Sequence, residues 1–309
     1  MTGKGRAPRL RGKMTLKSVL PCVLLMDNGS LRPAAIRKLR GLAAALGRRL
    51  GRKVDPVSLL HSSAVPAGKL GGRKAEILEP AVLRRAQAGV RDFVIVPLFF
   101  GRSRALTEYV PERLALWHKT YPDLRVRLAA PLAAAGDDRL ARLLEEQVRA
   151  TLTPAFLRGE KARVALVDHG SPVKAVTQVR NRLAGQLRRR LGRSVARVAA
   201  GSMERRPGSA YAFTEPLLEN LLATPPWNAG PVIVAQLFLL PGRHAGPAGD
   251  IAAICRRARE KNPRLRTVRT KLLGDHPGLT EILADRFYAL AGRRRSPIAK
   301  RKTSLSPHR

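Results

Sequence analysis

The sequence is short of cysteine and of long apolar runs, and each shortage excludes a class of protein. Its 309 residues include two cysteines, Cys22 and Cys255, too few for a disulfide framework or a thiolate metal cage. Both lie in or near apolar stretches, so we expect reduced thiols and a cytoplasmic protein. No apolar run approaches the roughly 20 residues that span a bilayer, so we do not expect a membrane protein.

Acidic residues are also scarce, at 22 against 59 Lys and Arg, which gives a formal net charge of +37. Residues 1–17 carry six Lys and Arg, residues 293–309 carry seven, and neither segment has an acid. This charge favours an anionic partner such as nucleic acid, an anionic membrane or a polycarboxylate ligand. The alternative is a solvated basic surface without a specific partner. Aromatic residues make up only 4%, and no zinc-finger spacing or RNA-binding aromatic motif is present, so we expect only non-specific nucleic-acid binding by the termini.

The apolar pattern alternates between strand-length runs and helix-length periodic segments. The spacing predicts a strand over 18–26 before a helix over 33–50, and a strand over 163–167 before a helix over 174–191. Such alternation is typical of βαβ units and a parallel sheet. Two further helices are expected to open at the Glu-Pro pairs Glu79-Pro80 and Glu215-Pro216, because proline suits the first helical turn.

The chain repeats itself at an offset of 141 residues. Arg48–Arg52 is identical to Arg189–Arg193, Gly29-Ser30 to Gly170-Ser171, and Gly101-Arg102 to Gly242-Arg243. Such self-similarity indicates two tandem, duplicated α/β domains. The predicted organisation is a basic flexible arm, a first domain, a linker, a second domain and a basic disordered tail, at 1–17, 18–150, 151–161, 162–292 and 293–309.

The two halves differ at three polar positions. The second has His, Glu and His where the first has Asn, Ser and Ser: His169 against Asn28, Glu204 against Ser63, and His244 against Ser103. All three follow apolar strands, and ligands collect at the carboxyl ends of parallel strands, so one pocket is expected to gather them. Each alone is more typical of a turn or a surface ion pair, but three coincident differences favour a functional site.

A His/Glu/His set suits divalent-metal or acid–base chemistry. Neutral imidazole binds zinc, copper, iron, cobalt or nickel, and a carboxylate adds a hard ligand. Without a thiolate the metal would be held weakly enough to be handed on. Glu204 could instead act as a base.

Three stretches carry a resemblance to a known family: a strand followed by His169-Gly170-Ser171, a strand followed by Glu204, and Leu237–His244. Together they resemble the class II, ATP-independent tetrapyrrole chelatases of the CbiX/SirB sirohydrochlorin cobaltochelatase and ferrochelatase type. The resemblance implies two flavodoxin-like domains with a degenerate first half. It also implies insertion of Co2+ or Fe2+ into sirohydrochlorin, in cobalamin or siroheme synthesis, without an organic cofactor.

Carried over by residue, the resemblance makes His169 and His244 the metal-binding and catalytic histidines, and Glu204 their acidic partner. Four arginines are expected to bind substrate carboxylates as charge-assisted pairs: Arg205, Arg206, Arg243 and, from the first half, Arg102. The segment Arg205–Thr214 is interpreted as an insertion. A non-catalytic metal or tetrapyrrole carrier remains the alternative. Pairing of the tandem halves favours a monomer, although the sequence leaves the oligomeric state open.

Overall fold

The computed structural model describes residues 20–290, so the basic arm and tail predicted at 1–17 and 293–309 lie outside the described residues. The strands in this range are β1 (Cys22–Asp27), β2 (Val54–Ser58), β3 (Asp92–Pro97), β4 (Arg125–Leu128), β5 (Arg163–Asp168), β6 (Arg197–Ser202), β7 (Gly230–Gln236) and β8 (Leu265–Arg269). The α-helices are α1 (Pro33–Leu50), α2 (Leu78–Gln87), α3 (Val110–Thr120), α4 (Arg139–Arg149), α5 (Pro154–Leu157), α6 (Lys174–Leu191), α7 (Leu218–Ala223), α8 (Asp250–Lys261) and α9 (Leu279–Leu290).

The strands form two parallel sheets of the same topology. Their orders are β2-β1-β3-β4 and β6-β5-β7-β8, each pair being parallel. Each half is thus a four-stranded parallel sheet flanked by helices, and the predicted tandem α/β architecture is confirmed. The carboxyl ends of β1 and β5, at the centre of each sheet, carry the turns that the repeat singled out.

The two long helices match the prediction in both halves. Helix α1 begins at Pro33, whose fixed φ suits a first helical position, and ends before Gly51 in the left-handed conformation. Helix α6 spans the predicted 174–191. The helix predicted to open at Glu215-Pro216 is wrong, because the Pro216 carbonyl accepts a 3.0 Å hydrogen bond from the Ser202 N–H. That pairing keeps the segment extended until α7 begins.

The spatial register of the repeat departs from a constant offset. Ser58 pairs with Asp27 as Ser202 pairs with Asp168, which is an offset of 144. Three additional residues lie between α6 and β6, where the chain makes a 3₁₀ turn at Gly192–Ser194. Glu204 therefore corresponds to Leu60, and its alignment with Ser63 is wrong.

The same register shows that the second half has no insertion after Glu204. Ser58 bridges to Ile77, and Ser202 bridges to Leu217, so the offset there is 140. The second half is four residues shorter than the first between these bridges. The interpretation of Arg205–Thr214 as an insertion is therefore wrong. Glu79 likewise corresponds to Glu219 and not to Glu215, since both glutamates lie in a first helical turn.

The closing helix of each half packs on the other half. Helix α4 packs against α6 and β7, whereas α9 packs against α1 and β3. Arg190 pairs with Glu145 at 2.6 Å on the first seam, and Arg49 pairs with Glu281 at 3.3 Å on the second. The halves defined by sequence are therefore not separate packing units.

A hydrophobic core between the two sheets is shared by both halves. It contains Val23 and Val94 from the first sheet, and Val164 and Ile233 from the second. Apolar residues of α1, α4, α6 and α9 fill the layer between them. This shared layer sets the relative position of the two strand-end turns, and a cleft opens between them.

Candidate functional site

A glycine turn joins two of the candidate residues through the backbone. Gly170 follows β5 with φ +95°, and a Cβ there would lie 1.8 Å from the Glu204 carbonyl oxygen. The Glu204 N–H donates to the His169 carbonyl at 3.2 Å. Only glycine allows this close approach, and the crossing brings Glu204 beside His169.

The structure brings the three candidate side chains together. His169 Nε2 lies 3.3 Å from His244 Nε2 and 3.3 Å from Glu204 Oε1. The two imidazole rings meet edge to face, with centroids 4.6 Å apart and planes 76° apart. The loops after β5, β6 and β7 thus each contribute one residue, as parallel-sheet geometry predicted.

The hydrogen bonds at the far side of each ring determine what the facing nitrogens can do. His244 Nδ1 lies 2.7 Å from Asp250 Oδ2, and His169 Nδ1 lies 3.1 Å from the Gly170 carbonyl. Both partners accept hydrogen bonds, which favours the tautomer with the proton on Nδ1 in each ring. In that tautomer both Nε2 lone pairs point towards each other, and a shared proton or a metal ion between them would relieve their repulsion.

The histidine spacing suits a shared metal ligand set. With metal–nitrogen bonds of about 2.1 Å, as zinc makes to imidazole, nitrogens 3.3 Å apart subtend about 104° at the ion. Over residues 20–290, however, no three His, Cys, Asp or Glu side chains are arranged to hold an ion. The arrangement is a two-nitrogen site, with a carboxylate close to one of its nitrogens.

A cleft of about 640 Å³ lies between the two halves, and His244 is outside its lining although it contacts His169. His169 and Glu204 line it from the second half, and Asn28, Phe99 and Phe100 from the first. Apolar side chains from both halves form much of the wall, including Val176 and Phe238. A cleft of this volume accommodates a ligand the size of a cofactor or a drug molecule.

The predicted arginines divide into two groups. Arg205 and Arg206 line the cleft; Arg205 Nε pairs with Glu215 at 2.8 Å, and the Arg206 guanidinium lies 5.9 Å from the Tyr211 ring centroid. Arg243 is outside the lining and lies 3.6 Å from Asp250, with 76% of its side chain exposed.

Arg102 is also outside the cleft lining, and Arg104 is the first-half arginine that reaches it. The side chain of Arg104 pairs with Glu108 at 2.7 Å and remains 65% exposed. Arg102 was predicted to bind substrate because it aligns with Arg243 in the repeat, but neither of these two arginines lines the cleft.

Sequence reasoning missed a buried ion pair beneath the turn. Arg180 of α6 is 1% exposed and lies 3.7 Å from Asp168 Oδ1. Burial raises the pKa of Asp168 and lowers the pKa of Arg180. The available signal was a charged residue within the apolar face of a helix, where the first half has Leu39.

Asp250 was missed for a different reason. It begins α8, and an acid in a first helical turn is ordinarily explained by the helix dipole. Its contact with His244 depends on how the loop after β7 folds back, which local sequence does not specify.

The model of the CbiX family matches residues 22–151 and, a second time, residues 163–290. The chain belongs to the CbiX family. Both halves carry the CbiX match, including the half in which the histidines and the glutamate are missing. The family pattern therefore extends well beyond the candidate site. No curated protein sequence matches the chain significantly.

Solved structures of proteins named SirB and CbiX share this fold. SirB from Bacillus subtilis with Fe3+ is 16% identical over 88% of this chain and 95% of that one, with a TM-score of 0.65. The sirohydrochlorin chelatase SirB from Bacillus subtilis subspecies spizizenii in complex with cobalt has the same identity and coverage, with a TM-score of 0.59. CbiX, described as the terminal enzyme for biosynthesis of siroheme in denitrifying bacteria, is 18% identical over 87% and 99%, with a TM-score of 0.54. At these identities the likeness shows the fold alone.

No helix within residues 20–290 is long and apolar enough to cross a membrane.

Proposed function

We propose that this CbiX-family protein inserts a divalent metal, Co2+ or Fe2+, into sirohydrochlorin or a related polycarboxylate tetrapyrrole, in cobalamin or siroheme biosynthesis. The observation that carries the proposal is the pair of imidazole nitrogens 3.3 Å apart, with a carboxylate 3.3 Å from one of them, beside the cleft between the halves. Iron and cobalt in the solved SirB structures support the choice of metals.

The residues fit the chemistry of metallation. A metal must pass from protein ligands to ring nitrogens while the pyrrole N–H protons leave, so the reaction needs a weakly held ion and a nearby base. His169 and His244 would offer two neutral ligands without a thiolate. Glu204, with 55% of its side chain exposed, is free to turn towards substrate and accept a proton.

Asp250 would keep His244 ready for this role. By accepting from Nδ1 at 2.7 Å, its carboxylate fixes the ring orientation and keeps Nε2 available as a ligand. It also makes the imidazole a stronger donor to the metal.

The first half would contribute a substrate-binding wall. Phe99 and Phe100 offer apolar surface to a macrocycle, and Arg104 offers a cation. Ser103 also lines the cleft, and its hydroxyl has no hydrogen-bond partner within the described residues. Arg205 and Arg206 line the cleft from the second half, so cations from both halves could pair with substrate carboxylates.

The direct test is metallation by the purified protein. Sirohydrochlorin is mixed with Co2+, Fe2+ or Ni2+, and the visible spectrum is followed against His169→Ala and a protein-free control. We expect conversion to the metallated spectrum with Co2+ or Fe2+ that depends on His169. A folded protein that converts nothing with any of these metals would refute the proposal.

The variant Glu204→Gln distinguishes an enzyme from a non-catalytic carrier. The carrier is the alternative because the site has only two ligands in place for a metal ion. The amide cannot act as a base but keeps the size of the side chain. An enzyme should lose turnover by about 10²-fold or more while it retains tetrapyrrole binding, measured by fluorescence quenching. Equal low conversion by wild type and variant, with binding intact, would favour the carrier.

A further inference from the structure

Arg180 lies in the protein interior, where removing a charged side chain from water costs free energy. It projects from α6 with 1% exposure, alongside the buried Leu183 and Leu187. A charge removed from water is tolerated only when it is paired and its hydrogen-bond donors are satisfied. The contacts of Arg180 therefore indicate what keeps it there.

Nε and Nη2 of Arg180 donate to Asn181 Oδ1 on the same helix, and the contacts of Nη1 join the two loops that carry the candidate site. Arg180 Nη1 donates to the Ser202 hydroxyl and, at 2.8 Å, to the Thr214 carbonyl. Ser202 donates in turn to Asp168 Oδ1 at 2.8 Å, and the Gly170 N–H donates to the same oxygen at 3.1 Å. The network thus holds the residues on both sides of His169, and both ends of the 203–213 segment that bears Glu204.

The first half shows what this turn does without the arginine. Leu39 takes the place of Arg180, and Asp27 Oδ1 has no hydrogen-bond partner within the described residues. The backbone is nonetheless the same: Gly29 has φ +99°, and the Leu59 N–H reaches the Asp27 carbonyl at 2.9 Å, against 2.8 Å for Met203 and Asp168. The turn itself therefore does not require Arg180.

We propose that Arg180 is a positioning residue: the turn of His169 forms without it, but Arg180 ties that turn to the far end of the Glu204 loop at Thr214 and so fixes the two side chains relative to each other for metal binding and transfer. The proposal rests on the proposed function for its catalytic part. Its metal-binding part can be measured alone. A purely structural arginine would only neutralise Asp168, so the two roles differ when the aspartate is neutralised as well.

The experiment compares Arg180→Leu, which copies the first half, with the double variant Arg180→Leu/Asp168→Asn and with Arg180→Lys. Arg189→Leu, an exposed arginine on the same helix, is the matched control. Thermal unfolding, Co2+ titration followed by the visible bands of the bound ion, and kcat and KM for sirohydrochlorin are measured for each.

Positioning predicts that the double variant unfolds at nearly the wild-type temperature yet binds Co2+ about 10- to 100-fold more weakly, with altered bands. Its kcat should fall by a similar factor while KM changes less, and Arg180→Lys should recover part of the loss. Arg189→Leu should match wild type. If the stable double variant binds Co2+ with wild-type affinity and spectrum, the proposal is wrong.

Failure of the proposed function would look different. In that case wild type itself would metallate no tetrapyrrole, whereas the Co2+ affinities and spectra of the variants would still decide the role of Arg180.

Discussion

The turn after β1 and the turn after β5 have nearly the same backbone and different side chains. Asp27 and Asp168 both end a central strand, and Gly29 and Gly170 both take a left-handed φ that lets a neighbouring carbonyl approach. Only the second turn carries a histidine. The Asp-x-Gly-Ser pattern is thus a structural element of the fold, onto which chemistry is added at one position.

The buried acids under the two turns also differ. Asp168 has Arg180, whereas Asp27 has Leu39 at the equivalent helix position. Burial raises the pKa of Asp27 to about 6. Burial raises the pKa of Asp168 as well, but the nearby Arg180 guanidinium opposes that rise, whereas Asp27 has Leu39 in the corresponding place. The same substitution should therefore have opposite consequences in the two halves.

The largest expected contrast is between the two turn residues themselves. His169→Ala should lower metallation by about 10²- to 10⁴-fold, because it removes a metal ligand and a neighbour of the proposed base. Asn28→Ala, at the matching position, should change turnover by less than about tenfold. Initial rates with sirohydrochlorin and Co2+ measure both. Comparable losses in the two variants would mean that the first half is not catalytically silent.

Asp168→Asn should be the most destabilising change of the two acids. It leaves the Arg180 guanidinium buried without its counter-ion, at a cost of about 3 kcal/mol or more in the free energy of unfolding. Urea unfolding at pH 7 gives the value, with Asp27→Asn as the matched variant. A cost under about 1 kcal/mol would show that Asn181, Ser202 and Thr214 are sufficient partners for the arginine.

Asp27→Asn should instead stabilise the protein above neutral pH. The pKa of Asp27 rises from 3.8 to about 6 on folding, so the stability from its protonated form is complete below pH 3.8 and is lost as the pH rises through 6. The asparagine variant should therefore gain up to about 3 kcal/mol over wild type at pH 8, and little at pH 4. Unfolding curves at both values test this, and a gain independent of pH would contradict it.

The smallest contrast is between two first-half arginines. Arg104→Ala removes a cation from the cleft and should raise KM for sirohydrochlorin by about three- to tenfold, as expected for an exposed charge-assisted pair. Arg102→Ala, outside the lining, is the control and should leave KM unchanged. The opposite order would restore the assignment made from the repeat.

Local pattern predicted much of this structure. Helices α1 and α6 follow from apolar spacing, and the convergence of His169, Glu204 and His244 follows from strands that end at one sheet edge. These features depend on residues close in sequence or on a general rule of parallel sheets. They required no knowledge of how the halves meet.

What the sequence did not predict depends on non-local geometry. Glu204 was aligned with the wrong residue because the second half has three additional residues before β6, where the chain makes a turn. The identical motifs on either side of this difference kept the overall offset at 141, so the additional residues could not be recognised. Arg104 was missed because the offset of 141 aligned Arg102 with Arg243, whereas the strands that precede these two loops are in register at an offset of 139. Asp250 is only six residues from His244, but their contact depends on the fold of the intervening loop, and the partners of Arg180 at Ser202 and Thr214 follow a further strand.

The exchange of α4 and α9 has a consequence for how the protein is made. During synthesis the first sheet emerges early, but Leu39 and Leu46 of α1 share their core with Ile282 and Phe287 of α9. That part of the core can therefore be completed only after α9 has been synthesised. Folding must then close very long loops, which slows it and exposes apolar surface to aggregation in the meantime.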